Sequence, residues 1–134
     1  MEPTSRKYLF FDLDGTLTDS MPGIARAVQY ALRRFGIDVQ DLAALKPFLG
    51  PPLRDSFMEF YGMSPEEADR AVAVSREYFV PRGMFENELY PGIPELLAAT
   101  AAAGRVNVIA TSKPQPFAER IAAHFGIDRH FRLI

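Results

Sequence analysis

Two short apolar runs, each ending in a polar turn that leads into a helix, constrain the fold of this chain more than any other feature. Tyr8–Phe11 ends at Asp12, and Val106–Ala110 ends at Thr111. A short, mainly apolar run predicts a buried strand of a parallel sheet, because such strands are covered on both faces. His130–Ile134 predicts the opening of a third strand.

Helical patterns separate these strands. Apolar residues recur three and four positions apart, and glycine follows most of the helical segments. The predicted helices cover residues 22–35, 53–61, 64–79, 94–103 and 114–125, with a short helix or turn at 38–46. Strands that alternate with helices indicate an α/β fold with a doubly wound, Rossmann-like parallel sheet, in which ligands bind beyond the carboxyl ends of the strands.

The helices between the first two strands form one block without a strand candidate. We therefore expect residues 1–20 and 89–134 to form an α/β core, and residues 21–88 to form an all-helical insertion.

Composition excludes several classes of protein. Fifteen Lys and Arg against 17 Asp and Glu give a net charge of -2, which offers no basic surface for nucleic acid or a membrane. The chain has no cysteine, so disulfides and thiolate metal sites are excluded. The apolar run before Asp12 is too short for a signal peptide or a membrane span. We expect a soluble, cytoplasmic protein; the sequence leaves the oligomeric state open.

Asp12 and Asp14 give the first strand end its chemistry. Two carboxylates at alternate positions point the same way and repel each other, and a divalent cation relieves that repulsion. Mg²⁺ prefers oxygen ligands and binds one or two carboxylates together with a substrate phosphate. The following Gly15 and Thr16 can direct backbone N–H groups at a phosphate oxygen. The alternative is an ordinary Asp-Gly turn, which the preceding apolar strand and the Gly-Thr pair disfavour.

These residues resemble the first motif of the haloacid dehalogenase (HAD) superfamily. Later segments resemble its phosphoglycolate-phosphatase-like branch, in the same order along the chain. The segments are Phe11-Asp12-Leu13-Asp14-Gly15-Thr16-Leu17-Thr18-Asp19-Ser20, Leu49-Gly50-Pro51-Pro52-Leu53, Leu89-Tyr90-Pro91-Gly92-Ile93-Pro94 and Ala110-Thr111-Ser112-Lys113-Pro114.

The resemblance implies a Mg²⁺-dependent phosphatase acting on a small phosphate ester such as phosphoglycolate. Asp12 would be the nucleophile that forms an aspartyl-phosphate. Asp14 would be the general acid and base. The Asp12 carboxylate and the Asp14 backbone carbonyl would bind Mg²⁺, and the Thr111 hydroxyl would hold the phosphoryl group. Asp14 favours a phosphatase or a phosphomutase over dehalogenases and phosphonate-cleaving members, which lack an acid there.

Four further residues are candidates for binding. Ser112 and Lys113 are expected at the phosphate, where Lys113 would act as a fixed cation. The alternative for Lys113 is that it is only a neighbour of the second motif. The helical insertion matches the family's mobile cap, and its loop from Gly50 to Arg54 would face the substrate. Arg54 suits bidentate recognition of a second anionic group, and a solvated surface charge is the equal alternative.

The resemblance also implies a core that is incomplete at its C-terminus. The family's third-motif lysine and fourth-motif acidic pair would follow the third strand, and this chain has no counterpart of either. Two interpretations remain open: a phosphatase represented by part of its chain, or a complete but inactive remnant with a binding or regulatory role. We favour the first, because the catalytic half of the motif is intact.

Overall fold

The computed structural model describes residues 7–134. Its helices and strands are β1 (Tyr8–Phe11), β2 (Thr18–Asp19), α1 (Met21–Arg34), α2 (Leu53–Tyr61), α3 (Pro65–Phe79), β3 (Glu88–Leu89), α4 (Ile93–Ala102), β4 (Val106–Ile109), α5 (Gln115–His124) and β5 (Phe131–Leu133). Short 3₁₀ helices lie at Leu42–Phe48, Gly83–Phe85 and Asp128–His130. None of the helices in residues 7–134 combines the length and apolar character needed to cross a bilayer.

The chain forms two compact units. One contains the described residues up to Thr18 together with Leu89–Ile134, and the other is Asp19–Glu88. The second unit is thus inserted between two parts of the first. The connections in both directions are the short strands β2 and β3, which pair with each other. The sequence did not predict these two strands, because two residues are too few to show an alternating pattern.

The first unit is built on a parallel sheet with the strand order β1-β4-β5. Tyr8 pairs with Val106 and Phe11 with Ile109, so β1 and β4 run side by side over their whole length. β5 pairs with β4 in parallel, with an irregularity between Asn107 and Val108. The three predicted strands and their parallel arrangement are confirmed.

One expectation about β1 is wrong. The strand was predicted to be buried on both faces, yet Tyr8 is 49% exposed and Phe10 is 70% exposed. The physical reason is that Tyr8 and Phe10 share one face of the strand, and the described residues leave that face largely uncovered. Leu9 and Phe11 point to the other face and are less exposed.

A polar side chain lies at the centre of the sheet. Asn107 of β4 is 1% exposed. Its Nδ2 donates to the His130 carbonyl at 3.1 Å, and its Oδ1 accepts from the Thr100 hydroxyl at 3.0 Å. Because Thr100 belongs to α4 and His130 immediately precedes β5, this single side chain links a helix and two strands. Buried amides are tolerated only when they are bonded in this way.

The second unit is a helical bundle with its own core. Helix α1 packs mainly on α3 and on the 3₁₀ helix Leu42–Phe48. The rings of Phe48 and Phe57 meet edge to face, with centroids 5.1 Å apart, and both side chains are almost fully buried. The buried residues Val28, Ala31 and Leu32 of α1 join the same cluster. Their spacing is the helical one on which the prediction of this helix was based.

Two helix starts in this unit differ in how they are capped. Before α3, the Glu67 amide donates to the Ser64 hydroxyl at 3.1 Å and the Ser64 amide donates to the Glu67 carboxylate at 3.0 Å. This reciprocal capping box confirms the predicted start. Ser20 occupies the N-cap position of α1, and its side chain makes no capping hydrogen bond.

The start of α1 instead makes a close backbone contact. The Gly23 amide donates to the Glu86 carbonyl at 3.2 Å. A Cβ placed on Gly23 would lie 1.8 Å from the Gly83 carbonyl oxygen, which no real side chain tolerates. Glycine is therefore required at this position to let the backbones of residues 23 and 83 approach.

Candidate active site

The two motifs of the first unit follow neighbouring strand ends. The Ala110 amide donates to the Phe11 carbonyl at 2.8 Å, directly after the last paired residues of β1 and β4. The Asp12 loop and the Thr111 turn therefore leave the same edge of the sheet. In parallel sheets this carboxyl edge is where ligands bind.

The first loop is held by the side chain and carbonyl of Leu13. Its side chain is fully buried. Its carbonyl accepts from the amides of Thr16 at 3.2 Å, Leu17 at 3.0 Å and Thr18 at 3.2 Å. The loop is also closed by the Gly15 amide, which donates to the Thr18 carbonyl at 2.9 Å. Gly15 has a φ of 78°, a conformation that glycine adopts without steric penalty.

These bonds bear on the expected phosphate contacts of Gly15 and Thr16. Both amides already donate within the loop, to the Thr18 and Leu13 carbonyls. A phosphate oxygen would have to replace these bonds to receive the N–H groups. The observed role of Gly15 and Thr16 is to shape the turn, and their phosphate contact stays a prediction.

Asp12 is exposed at the end of β1. Its Oδ1 accepts from the Leu13 amide at 2.7 Å, which fixes the orientation of the carboxylate. An exposed, oriented carboxylate can attack an incoming electrophile, as covalent catalysis by aspartate requires.

Asp14 lies in a different environment from Asp12. Its Oδ2 is 3.2 Å from Nζ of Lys113, and the side chains of the two residues are only 9% and 8% exposed. The pair joins the β1 loop to the β4 turn. From the sequence, Lys113 was a candidate phosphate ligand or only a neighbour of the second motif, and its contact with Asp14 was not predicted. The strand register could have indicated this contact. Phe11 pairs with Ile109, and Asp14 and Lys113 lie three and four residues beyond them.

The second motif forms a compact turn. The Lys113 amide donates to Oγ1 of Thr111 at 3.2 Å, and Thr111 is half-buried. Ser112 between them is exposed. The structure thus brings Asp14 and Lys113 together, with Thr111 hydrogen-bonded to the Lys113 backbone.

A Mg²⁺ ion was expected at Asp12 and Asp14. Among residues 7–134, no group of three or more His, Cys, Asp or Glu residues is arranged to hold a metal. The exposed Asp12 carboxylate fits a hard cation that keeps several waters and binds one or two carboxylates. The Asp14 carboxylate is paired with Lys113, so the donor of Asp14 that fits is its backbone carbonyl. The two protein donors that fit Mg²⁺ here are therefore the Asp12 carboxylate and the Asp14 backbone carbonyl.

Gly50 and Arg54, the candidate substrate residues, belong to the second unit. Gly50 forms the turn before α2 with a φ of 100°. Arg54 lies in the first turn of α2, and its Nε is 2.7 Å from Oδ1 of Asp69 in α3. Both side chains are substantially exposed, which makes this a solvated surface pair. A role in substrate binding stays a prediction for both residues.

Several named relatives are similar in sequence over most of this chain. A 5'-nucleotidase of Pseudomonas aeruginosa is 52% identical over 126 residues, which cover 94% of this chain and 57% of that protein. The tyrosine-protein kinase PtkA of Mycobacterium tuberculosis is 39% identical, over 97% of this chain and 44% of that protein. A phosphoglycolate phosphatase of Yersinia pestis is 34% identical, over 92% of this chain and 56% of that protein. This chain therefore spans about half the length of these relatives.

A solved structure has the same fold. The crystal structure of a predicted phosphatase from Clostridium acetobutylicum superimposes with a TM-score of 0.95 and 47% identity, covering 96% of this chain and 60% of that one. The family model of haloacid dehalogenase-like hydrolases matches residues 9–134, a range that includes both strand-end motifs. The resemblance seen in the motifs and the expected fold class are thereby confirmed: the chain belongs to the haloacid dehalogenase-like hydrolases.

Proposed function

We propose that this protein is a Mg²⁺-dependent phosphatase that hydrolyses a small-molecule phosphate monoester through an aspartyl-phosphate on Asp12. The observation that carries the proposal is the arrangement at the sheet edge. An exposed, oriented Asp12 lies on the same loop as Asp14, and Asp14 contacts the turn of the second motif through Lys113. Family membership and relatives named 5'-nucleotidase and phosphoglycolate phosphatase support the same chemistry.

The reaction follows from the chemistry of the two carboxylates. An Asp12 oxygen attacks phosphorus, and the bond from phosphorus to the ester oxygen breaks. Asp14 gives a proton to that leaving oxygen, so the alcohol departs neutral. Water then attacks the aspartyl-phosphate while Asp14 accepts its proton. Inorganic phosphate leaves and the Asp12 carboxylate is regenerated.

The remaining residues of the edge orient the phosphoryl group. Thr111 donates its hydroxyl to a phosphoryl oxygen, and Ser112 does the same. Mg²⁺, if held by the Asp12 carboxylate and the Asp14 carbonyl, would offset the electrostatic repulsion between the anionic nucleophile and the phosphate. Asp14 favours phosphate esters over haloacids, since a halide leaving group needs no proton.

The helical unit is proposed to serve as the mobile cap that selects the substrate. It is inserted between β2 and β3, so both of its connections pass through one paired ribbon. Gly50 and Arg54 are its proposed substrate-side residues. The guanidinium of Arg54 suits a substrate with a second anionic group, as in phosphoglycolate or a nucleotide.

The deciding experiment is hydrolysis of a generic phosphate ester with and without Mg²⁺, in the parent protein and in Asp12→Asn. We expect Mg²⁺-dependent release of phosphate that Asp12→Asn abolishes, because an amide is not a competent nucleophile. Asp55→Asn is the matched control, since Asp55 is exposed on α2 and outside the motifs. Activity that survives in Asp12→Asn would overturn the assignment.

The same assay distinguishes the alternatives. An inactive parent protein favours the binding or regulatory remnant. A phosphomutase would return the phosphoryl group to a second hydroxyl of the substrate and yield an isomer in place of free phosphate. A panel of phosphoglycolate, nucleoside 5'-monophosphates and sugar phosphates then ranks the substrates.

A further inference from the structure

We infer that Lys113 is a positioning residue for Asp14, acting through the carboxylate of the general acid and base and not through the transferred phosphoryl group. The inference rests on the proposed phosphatase function. It assigns Lys113 a role different from the phosphate-binding one that the sequence indicated.

Geometry and burial carry this assignment. Lys113 Nζ lies 3.2 Å from Oδ2 of Asp14, within direct ion-pair distance, and both side chains are more than nine-tenths buried. Asp12, the residue at which the phosphoryl group would be received, is exposed. Lys113 is therefore paired with the buried carboxylate of the motif, away from solvent. Separating the two charges of a buried ion pair is energetically costly. Each side chain of the pair therefore restrains the position of the other.

The backbone around Lys113 supports a fixed orientation. Its amide donates to Oγ1 of Thr111 at 3.2 Å, which ties the lysine to the end of β4. On the other side, Asp14 follows Leu13, whose buried side chain and carbonyl hold the loop. Both partners of the pair are thus attached to adjacent strands. A carboxylate held in this way can meet the leaving oxygen without first losing rotational freedom.

The test uses the leaving group. Protonation by Asp14 matters for an alkyl phosphate, whose alkoxide leaves poorly, and matters little for p-nitrophenyl phosphate. If Lys113 acts through Asp14, Lys113→Met should reduce kcat/KM for an alkyl ester by at least about tenfold and for the p-nitrophenyl ester by less than about threefold. A lysine that binds the phosphoryl group directly would lower both values by the same factor.

Four further variants complete the test. Asp14→Asn should show the same dependence on the leaving group, and adding Lys113→Met to it should cause no further loss, because both changes disable one unit. Lys113→Arg keeps the positive charge and should recover part of the alkyl-ester activity. Lys46→Met is the matched control, since Lys46 is exposed in the helical unit and should leave both activities unchanged.

A second readout needs neither metal nor substrate. Unfolding midpoints of Lys113→Met, Asp14→Asn and the double variant should be non-additive, with the double variant no less stable than the worse single one. If Lys113→Met does not fold, Lys113→Arg and Lys113→Gln provide the same comparison. Additive midpoints, or equal losses with the two esters in an active parent protein, overturn the inference alone. A parent protein inactive on both esters overturns the proposed function and the role of Lys113 with it.

Discussion

The ammonium group of Lys113 lies 3.2 Å from the carboxylate of Asp14, whereas the carboxylate of Asp12, two residues earlier, is exposed. One short loop thus places two chemically identical side chains in two environments. A lysine lies beside the Asp14 carboxylate, whereas the Asp12 carboxylate is open to solvent. Separate environments for paired carboxylates are the usual means of giving them separate tasks.

The salt bridge of Arg54 allows a test of substrate selection. If Arg54 binds a second anionic group, Arg54→Ala should raise KM for phosphoglycolate by about tenfold or more, because hydrogen bonds to charged groups contribute about 1.5–3 kcal/mol. KM for p-nitrophenyl phosphate, which has no second anion, should stay within a factor of about two. Asp69→Ala serves as the control for losing the α2–α3 pair alone. Equal changes for both substrates would show that Arg54 serves only the surface salt bridge.

The capping box of α3 predicts both a stability change and a pH dependence. Ser64→Ala removes the acceptor of the Glu67 amide and should lower the free energy of unfolding by about 1 kcal/mol. The Ser64 backbone amide and then its hydroxyl, both bonded to Glu67, hold the pKa of Glu67 below its ordinary 4.5. Because its pKa is lower in the folded protein, Glu67 stabilises the fold at pH values above its ordinary pKa. This stabilisation is lost as the pH falls through the pKa of the folded state.

The measurement is urea unfolding followed by circular dichroism between pH 7 and pH 3. The difference between parent and Ser64→Ala should shrink as the pH falls below the ordinary pKa of 4.5 and through the lower pKa of Glu67 in the folded protein. Between pH 7 and pH 3, the free energy of unfolding of Glu67→Gln should fall less than that of the parent protein, because glutamine does not titrate. A difference that stays constant with pH would contradict the assigned cause.

Helix positions in this chain could be read from the sequence with good accuracy. The helix at Leu53–Tyr61 and the one that starts after Ser64 have the predicted bounds, since Gly62 and the Ser64 box are local signals. The three strands of the parallel sheet were found in order because each is a short, mainly apolar run next to turn residues, whereas β2 and β3 were missed. The exposure of Tyr8 and Phe10 was missed because burial depends on what covers a strand, and an apolar run does not reveal its neighbours.

The candidate site could be predicted in its residue types but not in its pairings. Asp12 and Asp14 stand out because a carboxylate two residues from another is rare after a strand. The contact between Asp14 and Lys113 joins residues almost one hundred positions apart, and only the register of β1 against β4 brings them together. The motif alone made Lys113 a candidate phosphate ligand or a neighbour of the second motif, and it gave no sign of the contact with Asp14.

Asn107 gives the sharpest comparison with a second asparagine of the same chain. Asn107 is buried with its hydrogen bonds to Thr100 and His130 made. In contrast, Oδ1 of Asn87 is buried without a hydrogen-bond partner among the described residues. Replacing Asn107 leaves Thr100 and His130 each short of a hydrogen bond. Replacing Asn87 removes a buried oxygen that was already unsatisfied.

Asn107→Leu should therefore lower the free energy of unfolding by about 1–3 kcal/mol, since leucine has a similar shape but cannot bond the His130 carbonyl. Asn87→Leu should leave the stability unchanged or raise it slightly. Urea unfolding of both variants, followed by far-ultraviolet circular dichroism, measures the two changes under the same conditions. Equal losses in the two variants would mean that side-chain shape, and not hydrogen bonding at Asn107, holds α4 and β5 to β4.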